Sequence, residues 1–204
     1  MVASINLAVP LSTEDVRSLK AGDFVQLSGD IVTGRDRIHK FLLEQKPRVE
    51  EIPFQLSGSV LYHCGPLIQK SGEEQKIIAA GPTTSMRVEM YAADVIKEYG
   101  LKGIIGKGGM GRKTLQALQK NSCVYFHTIG GAAVYLAERI KKILGVWKLD
   151  EFGAAEAMWH LEVENFPAMV TMDTHGNDIH HEIENMSLKK FAEFIGGEDR
   201  QAVK

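Results

Sequence analysis

The sequence predicts an α/β fold built on a mainly parallel sheet. Between residues 77 and 142, short apolar runs alternate with segments of helical spacing, which is the pattern of βαβ units. The chain has 204 residues, of which 44% are hydrophobic and 25% charged, so it is long and apolar enough to bury a sizeable core. We expect one domain over residues 1–204, with a C-terminal tail from about residue 198 that frays.

The N-terminal third of the chain is predicted to contain two helices and two strands. Residues 12–20 begin with the capping-box pattern Ser12-Thr13-Glu14-Asp15, which is typical of a short helix. The apolar run at 24–32 predicts a strand, and a turn separates it from a helical pattern at 37–45. After two prolines that interrupt regular structure, residues 60–62 predict a short strand that ends at a Cys-Gly-Pro turn.

The middle and the end of the chain differ in their patterns. In the middle, strands are predicted at 77–80, 103–105 and 123–127, and helices at 88–99, 112–120 and 132–142. This alternation favours right-handed crossovers between parallel strands. Near the C-terminus we predict strands at 157–163 and 168–173, a turn at 175–178 and a short amphipathic helix at 188–195.

Composition excludes several classes of protein. The net charge is −2 with both signs mixed along the chain, so no broad basic surface favours a nucleic-acid partner. No apolar run approaches the ~18 residues of a membrane span, and the N-terminus lacks the features of a signal peptide. Only two cysteines are present, far apart in sequence. We therefore expect a cytoplasmic protein with reduced thiols, and one that cannot hold an iron–sulfur cluster by itself.

Residues 81–87, Gly-Pro-Thr-Thr-Ser-Met-Arg, form the most informative segment, which we call the hydroxyl loop. They follow an apolar run and precede a helical pattern, so Thr83, Thr84 and Ser85 are placed to cap a helix start. A helix start offers free N–H groups and partial positive charge, and Arg87 adds a guanidinium. The sequence therefore predicts a site for a carboxylate or phosphate.

A second glycine-rich turn, residues 106–111, is called the glycine loop below. It matches GxGxxG, but the acidic residue expected about 20 positions later is missing, and Gly108 stands where a phosphate-binding loop needs Ser or Thr. Nucleotide binding is therefore disfavoured. We predict that Lys107 and nearby N–H groups approach an anion, the alternative being a tight turn with an exposed lysine.

Similar junctions occur elsewhere in the chain. Gly130 follows another strand, and Arg35 lies in a turn before a helix, where an exposed Arg–Asp pair is the alternative. If these turns lie at the carboxyl ends of neighbouring strands, they form one anion pocket. The histidines at 175–181 match no strong metal-ligand spacing, and Cys64 has no evident basic partner, so neither a metal site nor a thiol nucleophile is favoured.

Taken together, these segments resemble the beta subunit, or C-terminal domain, of the iron–sulfur hydro-lyases, namely class I fumarate hydratase and L(+)-tartrate dehydratase. The resemblance covers most of the chain and rests on the segments 28–29, 33–36, 62–66, 81–87, 105–111, 130–133, 159–167 and 173–177. The hydroxyl loop followed by the glycine loop is its most specific part. Two departures are Ala155, where a proline is common, and Arg37-Ile38, where smaller residues are usual.

The resemblance implies a swivelling β/β/α domain with a mixed, partly parallel central sheet and outer helices. It implies an alpha-subunit partner that carries a [4Fe-4S] cluster, with a dimer of heterodimers as the assembly. It also implies that Arg35, Arg87 and Lys107 neutralise the carboxylates of a small dicarboxylate substrate and that Thr83 is the catalytic residue at the carbon that exchanges a proton. Thr84 and Ser85 are weaker substrate-binding candidates.

The resulting hypothesis is the beta subunit of a hydro-lyase that interconverts fumarate and (S)-malate, supplying the dicarboxylate-binding half of the active site. Dehydration of L(+)-tartrate to oxaloacetate is the close alternative, because the substrates differ by one hydroxyl and no residue of this chain separates them. An anion-binding domain without catalysis is the alternative from another class.

Overall fold

The computed structural model describes residues 4–72 and 74–198. Its strands are β1 (Ser4–Val9), β2 (Phe24–Thr33), β3 (Val60–Tyr62), β4 (Leu67–Ser71), β5 (Glu74–Ala79), β6 (Gly103–Gly106), β7 (Val124–His127), β8 (Ile140–Trp147) and β9 (Met158–Met172). Its α-helices are α1 (Thr13–Ser18), α2 (Asp36–Gln45), α3 (Glu89–Tyr99), α4 (Arg112–Asn121), α5 (Ala133–Ala137), α6 (Leu149–Phe152) and α7 (Ile179–Glu198). Short 3₁₀ turns occur at Val49–Glu51 and Ser85–Val88.

Seven strands form one mixed sheet in the order β1-β2-β3-β6-β7-β9-β8. The first five of these run parallel, whereas β9 pairs antiparallel with β7 and β8. Because β9 also pairs antiparallel with β2, the strands β2, β3, β6, β7 and β9 close into a small barrel. The predicted α/β fold with a mixed, partly parallel sheet and outer helices is confirmed.

The barrel strands share one apolar core, which fixes their relative positions. Its large buried side chains come from all five strands and include Leu27, Tyr62, Ile105, Phe126 and Phe166. Burial of each such side chain stabilises the fold by about 1.5–3 kcal/mol. Two further apolar clusters pack α3 with α4 and α2 with α3 against the outside of the sheet. The carboxyl ends of β2, β3, β6 and β7 are therefore held together at one edge.

Most of the predicted elements in the first two thirds of the chain are confirmed. The capping box at Ser12 is formed, with the Asp15 N–H donating to Ser12 Oγ at 3.0 Å and the Ser12 N–H donating to the Asp15 carboxylate at 2.8 Å. The other predictions that agree with the structure are the strands at 24–32, 60–62, 103–105 and 123–127 and the helices at 37–45, 88–99 and 112–120.

The strand predicted at 77–80 exists as part of β5, but its assignment to the central sheet was wrong. It pairs antiparallel with β4, which the sequence analysis did not predict, in a separate two-stranded hairpin. A central parallel strand is buried on both faces and needs apolar residues throughout. Here the polar Gln75 and Lys76 precede the apolar run, and Ile78 remains 37% exposed.

The helix predicted at 132–142 was also wrong beyond its first residues. Helix α5 ends at Ala137, and the chain continues as the strand β8, which pairs with β9. The β-branched residues Ile140, Ile143 and Val146 lose side-chain freedom in a helix and pack well on a pleated sheet. Tertiary pairing with β9 therefore overrides the helical spacing.

The C-terminal elements are longer than predicted. Strand β9 runs through Pro167, which pairs with Gln26 of β2, and the register of this pairing shifts between Leu27 and Gly29. Helix α7 starts well before the predicted 188, with the Asp178 carboxylate accepting from the N–H groups of residues 180 and 181 at 3.0 and 3.2 Å. The predicted turn at 175–178 is confirmed.

The tail predicted to fray from about residue 198 lies outside the described residues, apart from the end of α7. None of the helices within 4–72 and 74–198 is long and apolar enough to cross a membrane.

Candidate functional site

Four parallel strands end along one edge of the barrel, and the segments that follow them meet there. Arg35 follows β2, His63 follows β3, Lys107 follows β6, and Gly130 comes shortly after β7. Because β2, β3, β6 and β7 are successive neighbours in the sheet, these segments lie side by side. Of the turns predicted to converge, those at Arg35, Gly106 and Gly130 follow neighbouring strands of the barrel, whereas Gly81 follows β5, which lies outside the central sheet.

The hydroxyl loop reaches this edge through backbone hydrogen bonds, although the strand before it lies outside the central sheet. The N–H of Thr83 donates to the carbonyl of His63 at 2.7 Å, and the N–H of Ser85 donates to the carbonyl of Lys107 at 3.0 Å. Thr84 forms a parallel bridge with Lys107. The loop is thus laid across the ends of β3 and β6, with the Thr84 side chain exposed and that of Thr83 half-buried.

Arg35 stands at the N-cap of α2 with its side chain half-buried. Its Nε atom lies 3.4 Å from the Glu156 carboxylate. A Cβ atom placed on Gly65 would lie 2.8 Å from both Cδ and Nη1 of Arg35, so a side chain at Gly65 would displace the guanidinium. The Gly65-Pro66 turn therefore opens the space through which Arg35 reaches the edge.

Arg87 lies in the 3₁₀ turn that precedes α3 and is 55% exposed. Its guanidinium donates a hydrogen bond to the carboxylate of Asp36, the first residue of α2. Because Asp36 is adjacent to Arg35 in the chain, this ion pair draws the two arginines toward the same region. The carboxylate positions Arg87 and leaves about half of its surface free for a ligand.

Lys107 is half-buried at the start of the glycine loop. A Cβ atom on Gly130 would lie 2.8 Å from Cδ of Lys107, so Gly130 gives the lysine stem its space. Among the residues that the structure describes, no carboxylate lies within ion-pair distance of the Lys107 ammonium. Lys107 is therefore the candidate cation whose charge is least compensated by the chain itself.

Ser85 has a different environment from the two threonines before it. Its side chain has no solvent exposure, and its hydroxyl lies 2.9 Å from Nδ1 of His63 and 2.8 Å from the hydroxyl of Tyr125. The Tyr125 hydroxyl lies 2.8 Å from the carbonyl of Gly108. The Ser85 hydroxyl thus points into a buried polar cluster behind the edge, rather than out of it.

Two histidines behind the site are held in the neutral form. Burial is the largest effect on both side chains, lowering the pKa of His39 to about 4 and the pKa of His63 well below its ordinary value. Their rings contact each other edge to face, with centroids 5.1 Å apart. The Nδ1 atom of His39 lies 2.7 Å from the carbonyl of Arg35, which can only accept, so Nδ1 of His39 carries the proton.

The residues do not fit an iron–sulfur cluster on this chain. Cys64 is 1% exposed and Cys123 is fully buried, and burial raises the pKa of each thiol to about 12. Across residues 4–72 and 74–198, no three His, Cys, Asp or Glu side chains are grouped so that they could hold a metal ion.

The histidines that the sequence places near the C-terminus have separate partners. His175 Nε2 lies 3.0 Å from the carbonyl of Arg17, whereas His180 Nε2 lies 3.2 Å from the hydroxyl of Thr171. His181 Nδ1 lies 3.9 Å from the Glu184 carboxylate on α7. The three histidines therefore contact different residues and do not share a partner.

Taken as a whole, the edge suits a ligand with more than one negative charge. Arg87 belongs to the hydroxyl loop, Lys107 is bridged to it through Thr84, and Arg35 precedes the Asp36 that pairs with Arg87. Two carboxylates, Asp36 and Glu156, partly compensate these three cations. Guanidinium and ammonium groups of this kind bind carboxylates through short charge-assisted hydrogen bonds. The site is open to solvent on the side of Thr84 and Arg87.

Several residues that shape the site are not evident from the sequence. Asp36 belongs to the turn that contains Arg35, but its role as the partner of Arg87 depends on a contact between residues 51 positions apart. Glu156, His63 and Tyr125 gave no pattern of their own. The only available signal was that His63 immediately follows a predicted strand end.

Comparison with known proteins adds an independent observation. The family model described as Fumarase C-terminus matches residues 1–183 of this chain. A putative class I fumarate hydratase of Geobacillus stearothermophilus is 49% identical over 191 residues, which cover 93% of this chain and 36% of that protein. The chain thus spans about a third of the length of that relative.

Two relatives have nearly the same length as this chain. A putative L(+)-tartrate dehydratase subunit beta of Methanocaldococcus jannaschii is 40% identical over 91% of this chain and 96% of its own length. The L(+)-tartrate dehydratase subunit beta of Escherichia coli is 37% identical over 85% of both chains. The same unit therefore occurs both as part of a longer chain and as a subunit.

Proposed function

This chain belongs to the Fumarase C-terminus family, and we propose from that membership that it is the beta subunit of a hydro-lyase that interconverts fumarate and (S)-malate. The observation that carries the proposal is that the hydroxyl loop, which contains Thr83 and Arg87, lies at the same barrel edge as Lys107 and Arg35. It is joined to that edge by the Thr84–Lys107 bridge, and the Arg87–Asp36 ion pair joins it to the start of α2 beside Arg35. Three cations match a substrate with two carboxylates better than one with a single charge.

The cations have a role in the chemical step as well as in binding. Removal of the proton next to a carboxylate builds negative charge on that carboxylate in the transition state. Preorganised cations and N–H donors stabilise such charge more strongly than water does, because they need no reorientation. Arg35, Arg87 and Lys107 would hold both carboxylates, with Thr84 as a further hydroxyl contact.

Thr83 is the proposed proton-transfer residue. Its backbone is fixed by the hydrogen bond to the His63 carbonyl, and its side chain is half-buried in the loop that also carries Arg87. A threonine hydroxyl is a poor base at its ordinary acidity. If Thr83 takes the proton, the surrounding positive charge must stabilise its alkoxide.

The remaining half of the active site is proposed to come from an alpha subunit that carries a [4Fe-4S] cluster. Support comes from the open side of the pocket at Thr84 and Arg87 and from the subunit names of the two relatives of similar length. A cytoplasmic dimer of heterodimers is the assembly that we propose. Tartrate dehydration is the second candidate, favoured by the names of those same two relatives.

Co-expression tests the function directly. The chain would be produced with the gene product encoded beside it, purified without oxygen, and assayed for hydration of fumarate and dehydration of L(+)-tartrate. A complex that turns over fumarate faster than tartrate supports the proposal, and the reverse preference favours the second candidate. Lys107→Met should lose most of the activity, whereas Lys113→Met, which removes a surface cation paired with Asp94, should not.

Two results would overturn the proposal. One is hydro-lyase activity in the isolated chain. The other is a reconstituted complex that binds dicarboxylates but turns over neither substrate, which is the behaviour of an anion-binding domain without catalysis. Size measurement of the active complex decides its stoichiometry.

A further inference from the structure

A series of buried hydrogen bonds lies behind the candidate site, and the chemistry of each partner fixes which group donates. The Tyr125 hydroxyl lies 2.8 Å from both the Gly108 carbonyl and the Ser85 hydroxyl, but it has one proton to donate. The carbonyl can only accept, so Tyr125 donates to Gly108 and accepts from Ser85. The Ser85 oxygen is then free to accept from Nδ1–H of His63 at 2.9 Å.

This order of bonds gives every proton of the cluster one acceptor. It also leaves the Nε2 atom of His63 unprotonated, which agrees with the lack of a hydrogen-bond partner for that buried atom in the described part of the chain. Nε2 of His39 is in the same position, because its Nδ1–H donates to the Arg35 carbonyl. The two neutral rings are in contact, so the polar cluster extends from Arg35 to Gly108.

The glycine at position 106 is part of the same arrangement. A Cβ atom there would lie 1.8 Å from the Ser85 hydroxyl and 2.7 Å from the Tyr125 hydroxyl. The end of β6 therefore has to lack a side chain for these hydroxyls to meet. Ser85 is also joined to Lys107, the residue after Gly106, because the Ser85 N–H donates to the Lys107 carbonyl at 3.0 Å.

We propose that His63, Ser85 and Tyr125 are positioning residues that hold the hydroxyl loop and the glycine loop in one fixed arrangement around the substrate. This proposal rests on the proposed function. The three side chains come from β7, from the 3₁₀ turn and from the residue after β3, so their bonds join segments that are distant in sequence. Tyr125 fixes the glycine loop beside Lys107, and His63 fixes Ser85 while its own carbonyl holds Thr83.

The energetic reason is that buried polar groups are costly unless they are paired. Loss of one hydroxyl leaves another buried donor or acceptor without a partner, and the loop that carries it can move to find water. Small displacements matter because catalytic groups must be held close to their productive geometry. Ser85 thus acts on the substrate through the loops, without touching it.

The test compares two tyrosine-to-phenylalanine variants in the assembled complex. Tyr125→Phe deletes the hydroxyl that bonds Gly108. Tyr99→Phe deletes the hydroxyl of another buried tyrosine, which donates to the Leu42 carbonyl at 2.9 Å, away from the candidate site. We expect Tyr125→Phe to lower kcat by about 10- to 100-fold with a smaller change in KM, because transition-state geometry is more demanding than binding. Tyr99→Phe also removes one buried hydrogen bond and should keep kcat.

A second pair of variants tests the role of His63 by rescue. The amide nitrogen of asparagine can take the place of Nδ1, whereas leucine cannot donate, so His63→Asn should retain much more kcat than His63→Leu.

Amide hydrogen exchange in the full chain without substrate gives a readout independent of turnover. Tyr125→Phe should accelerate exchange at residues 83–85 and 106–109, and Tyr99→Phe should leave those amides unchanged. Ser85→Ala replaces Tyr125→Phe if the latter does not fold.

The outcomes separate the two proposals. Equal losses of kcat in the two tyrosine variants, or unchanged kcat and loop exchange in Tyr125→Phe, would overturn the positioning role. Equal activity of His63→Asn and His63→Leu would do the same. If the wild-type complex is inactive toward both substrates, the proposed function fails, and the exchange comparison alone decides whether the three side chains hold the loops.

Discussion

The Arg87 guanidinium donates to the carboxylate of Asp36 and so joins the hydroxyl loop to the first residue of α2. The two side chains are 55% and 33% exposed, so the pair adds no more than about 0–1 kcal/mol to stability. Its structural consequence is larger, because Asp36 follows Arg35 directly. One ion pair thereby holds both candidate arginines on the same side of the pocket.

Arg87→Met is expected to reduce function without reducing stability. Loss of one preorganised donor to a developing negative charge lowers turnover by roughly 100-fold, and KM for the dicarboxylate rises as well. The unfolding midpoint in urea should change little, since the side chain is half-exposed. Lys113→Met is the matched control, because it removes a surface cation that is paired with Asp94 on another helix. Equal kinetics of the two variants would remove Arg87 from the substrate-binding set.

Gly106→Ala is expected to destabilise the chain. The added methyl group would lie 1.8 Å from the Ser85 hydroxyl, and overpacking of this kind costs about 1–3 kcal/mol or more. Gly145→Ala is the control, because no atom lies within 4 Å of the corresponding Cβ position in β8. Urea unfolding of both variants measures the difference. A Gly106→Ala midpoint equal to that of Gly145→Ala would show that the edge adjusts without strain.

More of the candidate site than of the strand pairing could be predicted from the sequence. Arg35 and Lys107 each follow a glycine at the end of a strand, and Arg87 ends a run of three hydroxyl residues and a methionine after Gly81-Pro82. Such turns have local signatures in glycine, proline and hydroxyl residues. Strands β6 and β7 were predictable for a related reason, since each is a short apolar run.

What could not be predicted depends on long-range pairing. Residues 140–147 have a spacing that suits a helix or a strand, and only the presence of β9 decides for the strand. The barrel closure by β2 and β9 likewise joins residues more than 100 positions apart, such as Val25 and Ala168. His63 and Tyr125 acquire their roles through side-chain contacts of the same long range, for which a single sequence has no signal.

The two cysteines are expected to be unreactive in the folded chain. Only the thiolate is an effective nucleophile, and burial raises the pKa of both Cys64 and Cys123 to about 12. A thiol-specific chromogenic disulfide reagent near neutral pH should label neither residue in buffer and both in concentrated urea. Rapid labelling of Cys64 in buffer would show that the end of β3 opens, which would contradict the fixed edge described above.

The free energy of unfolding should decline as the pH falls from 6.5 toward 4. Above pH 6.5 the imidazole of His39 is neutral in both states and adds no pH dependence. Between pH 6.5 and about 4, His39 is protonated in the unfolded chain but stays neutral in the folded chain, whose His39 pKa is about 4. The free energy of unfolding therefore falls by up to about 1.4 kcal/mol per pH unit in this range. His63, whose pKa is lowered in the same direction, adds to the slope.

Urea unfolding at a series of pH values measures this slope. His39→Asn retains a group that can donate to the Arg35 carbonyl but removes the titration, so its slope should be shallower than that of the wild type. His175→Asn is the control, because that side chain lies exposed at a turn. An unchanged slope in His39→Asn would mean that other groups bind the protons.

Thr83→Val is expected to lower turnover strongly in the assembled complex while the complex still binds the dicarboxylate. Valine has nearly the same shape as threonine, and the backbone bond from residue 83 to the His63 carbonyl does not depend on the side chain. The three cations also remain, so ground-state binding persists, whereas loss of a general base lowers kcat by roughly 100- to 10,000-fold. Thr83→Ser restores a hydroxyl and should recover much of the activity.

Thr84→Val provides the comparison for the Thr83 variants. Its exposed hydroxyl is proposed to contact substrate without exchanging a proton, so KM should rise more than kcat falls. Steady-state kinetics and equilibrium binding of fumarate to each complex separate the two effects. Full turnover in Thr83→Val would show that another residue transfers the proton. The proposed roles of the three cations in binding the dicarboxylate would remain, because they do not depend on which group transfers the proton.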